Sequence, residues 1–466
     1  MIIIDNALER RAAEGRPVRV GLIGAGFMGR GIANQIVNSV RGMALVAIGN
    51  RTVANAERAF REAGVENFDY VSRPNDLEDC IANGIPAITD DALMLPEVEN
   101  IDVLIEATGS IEFGARFAMK AIACGKDVVS MNAELDATVG SVLQQHAQKA
   151  GVIFSISDGD QPGVQMNLWR YVKFIGLQPL VCGNIKGLQD PYRNPTTQKA
   201  FAEKWGQNPS MVTSFADGSK ISFEQACVAN ATGMKVEQRG MRGGIWERHV
   251  DELCVSGRYD VGRLKRLGGV VDYIVGGAPP PGVFVLAAHG DPKQRHMLNL
   301  YKLGPGPLYS FYTPYHLCHF EIPLSAARVF LFRDIILAAE RPQVDVITKS
   351  KTNLKAGERL DGIGGYLTYG ECENYEISRA QNLLPQGLAE GCTVKRDVRQ
   401  DTPITYADVE LPPGRLCDQL RQQQDAMFPS GQPENFLNIR SRGQSPNVNA
   451  IFQAFAGPLL AFSPLV

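Results

Sequence analysis

The chain has 466 residues with 47 Lys+Arg against 50 Asp+Glu, and this formal net charge of −3 offers no electrostatic footprint for nucleic acid or an anionic membrane surface. A prior of roughly 150 residues per domain predicts about three domains, and the 44% hydrophobic content suits a globular protein with a substantial core. The nine cysteines (80, 124, 182, 227, 254, 318, 372, 392 and 417) have no zinc-finger spacing, and Ile2, Ile3 and Ile4 are too short an apolar run for a secretory signal. A cytoplasmic protein with free thiols and no membrane span is expected.

Residues 18–23 are a β-rich run followed by glycines and by 30–40, where Ile32, Ile36, Val37 and Val40 recur at helical spacing. The alternation repeats, with strands expected at 43–48, 102–106, 127–131 and 152–156 and helices at 53–63, 111–124 and 139–150. Repeated βα units predict an α/β fold whose first domain, 1–157, is a doubly wound parallel Rossmann sheet. From 158 to 341 the rhythm yields to Gly- and Pro-punctuated sequence, read as a central α+β catalytic and dimerisation domain with strands at 268–275 and 283–288 and a helix at 325–339. A small β-rich module follows over 342–415. Residues 416–466, rich in Gln, Pro, Asn and Ser from 418 to 445, read as a partly disordered tail with an apolar end.

Gly24-Ala25-Gly26-Phe27-Met28-Gly29 follows a strand and opens a helix, which is the setting that makes G-x-G-x-x-G a dinucleotide fingerprint. The first glycine makes the turn, the second admits the pyrophosphate, and the third packs helix on strand. At the end of the second strand stand Asn50, Arg51 and Thr52 where an NAD enzyme normally carries a carboxylate, so NADPH is the expected cofactor, with Arg51 on its 2′-phosphate. Thr108, Gly109 and Asn132, at later strand ends, are expected along the cofactor.

Glu134, Asp158 and Asp160 end strands near the same crevice, and hard oxygen donors of this kind suit Mg²⁺ or Mn²⁺. Helix capping and turn making are the alternative for such residues, and the one favoured for Asp136. In the central domain Lys220 and Glu224 are four apart on one helix face, with Asp217 a turn earlier. A lysine among carboxylates can polarise a carbonyl and relay a proton, although a solvated ion pair reads the same. Lys186 and Asp190 flank a second turn. Arg239 and Arg242, in a Gly-rich basic loop, are candidates to hold a phosphate or carboxylate, or else belong to a plain surface loop. His316 and His319 lack zinc-helix spacing and are read as pocket wall or core.

The glycine loop, Thr108-Gly109 and the turn at 183–187 resemble the homoserine dehydrogenase superfamily, with Asp217-Gly218-Ser219-Lys220 falling where those enzymes keep an Asp and a Lys. Residues 344–411, with Lys355-Ala356-Gly357-Glu358 and Asp361-Gly362-Ile363-Gly364-Gly365, look like a SAF domain. That order, with the wording of 23–31, 49–52 and 157–163, resembles the deoxyxylulose-5-phosphate reductoisomerase-like enzymes. The resemblance implies an NADPH-dependent homodimer that rearranges and reduces 1-deoxy-D-xylulose 5-phosphate to 2-C-methyl-D-erythritol 4-phosphate for isoprenoid synthesis. A divalent cation on Glu134, Asp158 and Asp160 is inferred from their location alone, not from the resemblance. Lys220 would act on the carbonyl, Glu224 or Asp217 on the proton, and Lys186, Asp190, Arg239, Arg242 and His316 would hold substrate. Two other readings stay open: a homoserine-dehydrogenase-like oxidoreductase of another hydroxy acid or sugar acid, and a non-catalytic sugar-binding or sensor protein.

Overall fold

The computed structural model describes residues 2–429. Its N-terminal sheet has seven parallel strands: β1 (Val18–Ile23), β2 (Met43–Gly49), β3 (Asp69–Tyr70), β4 (Ala87–Thr89), β5 (Val103–Glu106), β6 (Val128–Ser130) and β7 (Phe154–Ile156). Their order is β3-β4-β2-β1-β5-β6-β7, so the chain reverses direction across the sheet between β1 and β5, the switch point at which such sheets bind ligands. Strands β5, β6 and β7 are buried along their whole length because helices cover both faces, which is why they read as apolar runs.

Helices Phe27–Ser39, Val53–Glu62 and Ile322–Phe332 pack one face through Ile32, Ile36, Phe60, Ala326 and Val329. Helices Ile111–Ala123, Ala133–Ala150 and Leu416–Met427 pack the other through Phe117, Val139, Leu143 and Leu420. Three expectations are corrected here. The helix expected at 325–339 stops at Phe332 because Arg333 turns left-handed, with φ 52°; Leu337 then bridges Ile156 of β7, and the helix itself belongs to the N-terminal core. The helix expected at 139–150 begins at Ala133, since Asn132 Oδ1 accepts the Leu135 amide at 3.0 Å and starts it earlier. Residues 416–427, expected in a partly disordered tail, form a helix anchored by buried Arg421, whose two Nη atoms each lie 2.7 Å from Asp345 oxygens. The rest of the expected tail, 430–466 with its apolar end, lies outside the described residues.

The second sheet has the order β11-β10-β8-β9, from β8 (Gln178–Lys186), β9 (Val270–Val275), β10 (Val283–Ala288) and β11 (Leu308–Thr313), with β8 and β9 parallel and the other pairs antiparallel. Helix Ser219–Thr232 is buried from Ser219 to Asn230. It lies among this sheet, helix Ala133–Ala150 and the antiparallel pair β12 (Val344–Ser350) and β13 (Thr368–Asn374) of the C-terminal module. A helix buried on all sides carries no amphipathic stripe, so a charged residue within it demands partners. All nine cysteines are free thiols, and among the described residues no helix is long and apolar enough to cross a membrane.

Candidate active site

Each glycine of the loop has a distinct physical reason. Gly24 has φ +97°, and a Cβ there would meet the Ala107 carbonyl oxygen at 2.7 Å; a Cβ on Gly29 would stand 2.0 Å from the Gly24 oxygen. Gly26 is different: its φ is −73° and a Cβ would meet nothing within 4 Å, so the fold leaves open the place a pyrophosphate would approach. These residues therefore fit a dinucleotide. Asn50, expected on the cofactor, instead braces the loop: its Oδ1 accepts the Ala25 amide at 3.0 Å and its Nδ2 donates to Thr52 O at 2.8 Å. Arg51 and Thr52 are exposed beside it.

Asn132 is buried as a helix cap and donates to Ser110 O at 3.0 Å, which makes it a brace for the Thr108-Gly109 turn. Buried Glu106, ending β5, accepts from Thr108 N and from Ser130 Oγ, each at 2.8 Å; burial pushes its carboxyl up while these donors oppose the shift. Sequence reasoning gave Glu106 no role. An acidic residue closing an otherwise apolar strand was the available signal.

Lys220 sits at the start of its helix because Gly218, left-handed with φ 96°, breaks it from helix Pro209–Asp217. Its Nζ lies 3.2 Å from Glu134 Oε1 and 3.5 Å from Asp160 Oδ2, so its partners are these strand-end carboxylates rather than Glu224. Burial alone would lower its pKa, but the charges of Glu134, Asp160 and Glu224 outweigh that and hold the ammonium well above the usual value. Among the described residues Glu134 Oε1 has no partner besides the Lys220 ammonium. Glu224 Oε2 accepts Asn184 Nδ2 at 3.2 Å, and burial together with the charge of Asp160 pushes its carboxyl up to about 8. Lys186, half-buried at the end of β8, feels the charges of Glu224 and Lys220, and burial lowers its pKa. His316 joins the group through Asp160, the two within 4.8 Å.

The remaining candidates point elsewhere. Asp217 is not on the Lys220 helix; it ends the preceding one, where its Oδ2 pairs with Lys351 Nζ at 2.9 Å and its Oδ1 accepts Ser219 N at 2.9 Å. Asp158 pairs with Arg328 at 3.4 Å. The expected metal triad is not assembled: Asp158 is held by Arg328, and among the described residues Glu134, Asp158 and Asp160 do not gather as a set of metal donors. Arg239 is held by Glu373 at 2.7 Å and Gln381 at 2.6 Å, and Arg242 lies 3.6 Å from Glu237, so each already faces a carboxylate of the protein. Asp190 closes a local turn with Arg193 at 3.0 Å. Asp136 lies inside the first helical turn, buried, with its carboxyl pushed to about 7 by burial, and does not cap it. His319 packs its ring against Gly31.

Residues 24–156 match the family described as homoserine dehydrogenase, NAD binding domain, and 159–322 match the family described as oxidoreductase DRL, catalytic domain. The chain is 33% identical over 125 residues to inositol 2-dehydrogenase 4 of Saccharopolyspora erythraea, covering 25% of this chain and 36% of that protein. It is 31% identical over 152 residues to homoserine dehydrogenase of Pseudomonas aeruginosa, covering 32% of this chain and 31% of that one. The matches thus span about a third of the length of these curated relatives. Among solved structures, a probable dehydrogenase from Thermotoga maritima aligns at 16% identity and a TM-score of 0.36, over 58% of this chain and 73% of the other. Residues 24–156 are thus similar to an NAD-binding domain of homoserine dehydrogenase type, and residues 159–322 to an oxidoreductase catalytic domain.

Proposed function

We propose that the protein is a nicotinamide-dinucleotide-dependent oxidoreductase that interconverts a carbonyl and a hydroxyl on a small hydroxy acid or sugar acid. One observation carries this reading: a buried lysine held between two strand-end carboxylates, beyond a glycine loop that leaves room for a pyrophosphate. The loop Gly24–Gly29 and the Thr108 turn would hold the dinucleotide, which when bound supplies or takes up the hydride. Lys220 Nζ donates to the substrate oxygen and stabilises the charge that develops there. Glu134, whose Oε1 is partnered by Lys220 alone, accepts from a neighbouring substrate hydroxyl. Glu224 replenishes the proton that Lys220 gives up. The test is turnover of a panel of hydroxy acids, polyols and sugar phosphates with each dinucleotide, followed by nicotinamide absorbance; no turnover beside tight dinucleotide binding would favour a sensor.

Reduction and isomerisation of 1-deoxy-D-xylulose 5-phosphate is the narrower reading that the resemblance implies. It stands second, because its phosphate-binding arginines and its carboxylate metal triad are engaged in internal ion pairs. The free thiols suit a reducing cytosol, and the 342–415 module, read as SAF-like, would act by supporting the catalytic helix. The homodimer stands as part of the same proposal.

Glu224 sets a pH dependence. Its carboxyl is protonated below about 8 and able to donate, so carbonyl reduction should fall as pH rises through about 8 while alcohol oxidation rises. Because its folded value exceeds the ordinary 4.5, its contribution to stability is present at low pH and is lost as pH rises between the two. The kcat/KM profile of Glu224→Gln should lose that limb; an unchanged profile would remove Glu224 from proton transfer.

We further propose NADPH as the preferred cofactor, from exposed Arg51 at the end of β2 and the absence of a ribose-binding carboxylate there. Arg51→Asp should weaken NADPH binding by about 1–3 kcal/mol, the scale of a charge-assisted contact, and leave NADH binding little changed. Equal affinity of the unaltered protein for both dinucleotides would contradict this.

A further inference from the structure

Beside Asp160 the crevice holds two further donors, His316 and Cys318, that hydride transfer leaves unused. The loop between β11 and helix Ile322–Phe332 folds over Asp160, so that a carboxylate oxygen of Asp160, a ring nitrogen of His316 and the Cys318 sulfur all lie within 4.8 Å of one another. The backbone is built to keep them there. The Cys318 amide donates to the Gly159 oxygen at 2.7 Å, and a Cβ on Gly159 would stand 2.2 Å from the Cys318 oxygen. Cys318 itself is held at a left-handed φ of 36°, a strained conformation that clusters at ligand sites.

The imidazole is oriented as well. His316 Nδ1 lies 3.0 Å from the Pro281 carbonyl oxygen. A carbonyl only accepts, so Nδ1 carries the proton and Nε2 presents its lone pair, the arrangement that metal-bound imidazoles use. A carboxylate has lone pairs enough to serve Lys220 and a cation together.

We infer that Asp160, His316 and Cys318 form a three-donor site for Zn²⁺ at the mouth of the crevice, with a fourth position open beside Lys220. The mixed nitrogen, sulfur and oxygen set suits this borderline-soft ion rather than Mg²⁺. Binding draws the three donors together from their present spacing; the Cys318 S–H bond breaks, a sulfur–zinc bond forms and one proton leaves to solvent, with no change of oxidation state. The claim concerns metal binding and does not depend on the oxidoreductase reading.

The test uses the full chain stripped by chelator, titrated with Zn²⁺ against a chromophoric competitor and separately with Co²⁺. One Zn²⁺ per chain and a thiolate-to-cobalt charge-transfer band are expected. Cys318→Ser and His316→Gln should each weaken binding beyond the about 10–100-fold lost with an outer hydrogen-bond partner. Cys254→Ser, a thiol elsewhere, should leave binding unchanged. If Cys318→Ser alone fails to fold, His316→Gln decides. No stoichiometric binding, or binding that both variants retain, would overturn the site.

Discussion

Lys220→Met should lower turnover by about 10²–10⁴-fold with dinucleotide affinity nearly unchanged, because electrostatic stabilisation and proton transfer at the reacting oxygen have that size. The geometry makes the result informative. Lys220 is 9% exposed and counters two carboxylates at 3.2 and 3.5 Å, so its removal also leaves buried negative charge unpaired. Breaking such a pair costs about 3–5 kcal/mol unless the carboxylates take up protons. In the variant they would, with folded pKa values above their unfolded ones, so its stability should be recovered at low pH and lost as pH rises. Lys220→Arg separates structure from chemistry: it keeps the charge but gives up no proton near neutral pH. Turnover near the unaltered level in both variants, per folded molecule, would take Lys220 out of the mechanism and leave Lys186 as the next residue to test.

Replacing Lys351 should produce the largest loss of stability outside the crevice. Its Nζ donates to Asp217 Oδ2 at 2.9 Å, to Arg193 O at 2.7 Å and to Gly365 O at 2.8 Å, which satisfies all three of its hydrogens inside the protein. Burial already raises the Asp217 carboxyl despite this partner. Lys351→Met removes the counter-charge and should cost about 3–5 kcal/mol in denaturant unfolding. Adding Asp217→Asn should restore part of the loss, since the amide oxygen still accepts Ser219 N while the buried charge is gone. Asp217 holds the residue just before Lys220, so Lys351 is a positioning residue, and kcat should fall in Lys351→Met with KM for the dinucleotide unchanged. A loss within about 0.5 kcal/mol, the range of ordinary surface changes, would contradict the account.

The contrast between Lys220 and Lys351 shows what the sequence made legible. Local pattern sufficed for the strand, glycine loop and helix at 18–39, and for β10, whose run at 283–288 is recovered to the residue. Lys220 stood out because acidic neighbours and a Gly-Ser turn mark its segment, yet its actual partners, Glu134 and Asp160, are 86 and 60 positions away, and spacing along one helix pointed instead to Glu224. Lys351 and Arg328 were invisible for the same reason: their value lies in partners 134 and 170 residues distant. Helix Leu416–Met427 was hidden by composition. Its Gln-rich sequence resembles a loose tail, while Leu420 and Arg421 become structural only through the N-terminal core and Asp345. The helix at 325–339 was overextended because apolar residues continue past Arg333 at a spacing that an extended segment also satisfies once it pairs with β7.

The central claim is that a dinucleotide lies across the Gly24–Gly29 turn, and Gly26→Val tests it most directly. At φ −73° the position suits any residue, and a Cβ there meets nothing within 4 Å, so the melting transition should move little. The added methyl groups would instead occupy the path by which backbone amides approach a pyrophosphate. Calorimetric titration should show NADPH binding to the unaltered chain and a loss of at least about 100-fold, some 2.7 kcal/mol, in the variant, since each factor of ten is worth about 1.4 kcal/mol. Equal NADPH affinity in the two proteins, or no dinucleotide binding by the unaltered chain, would contradict the account.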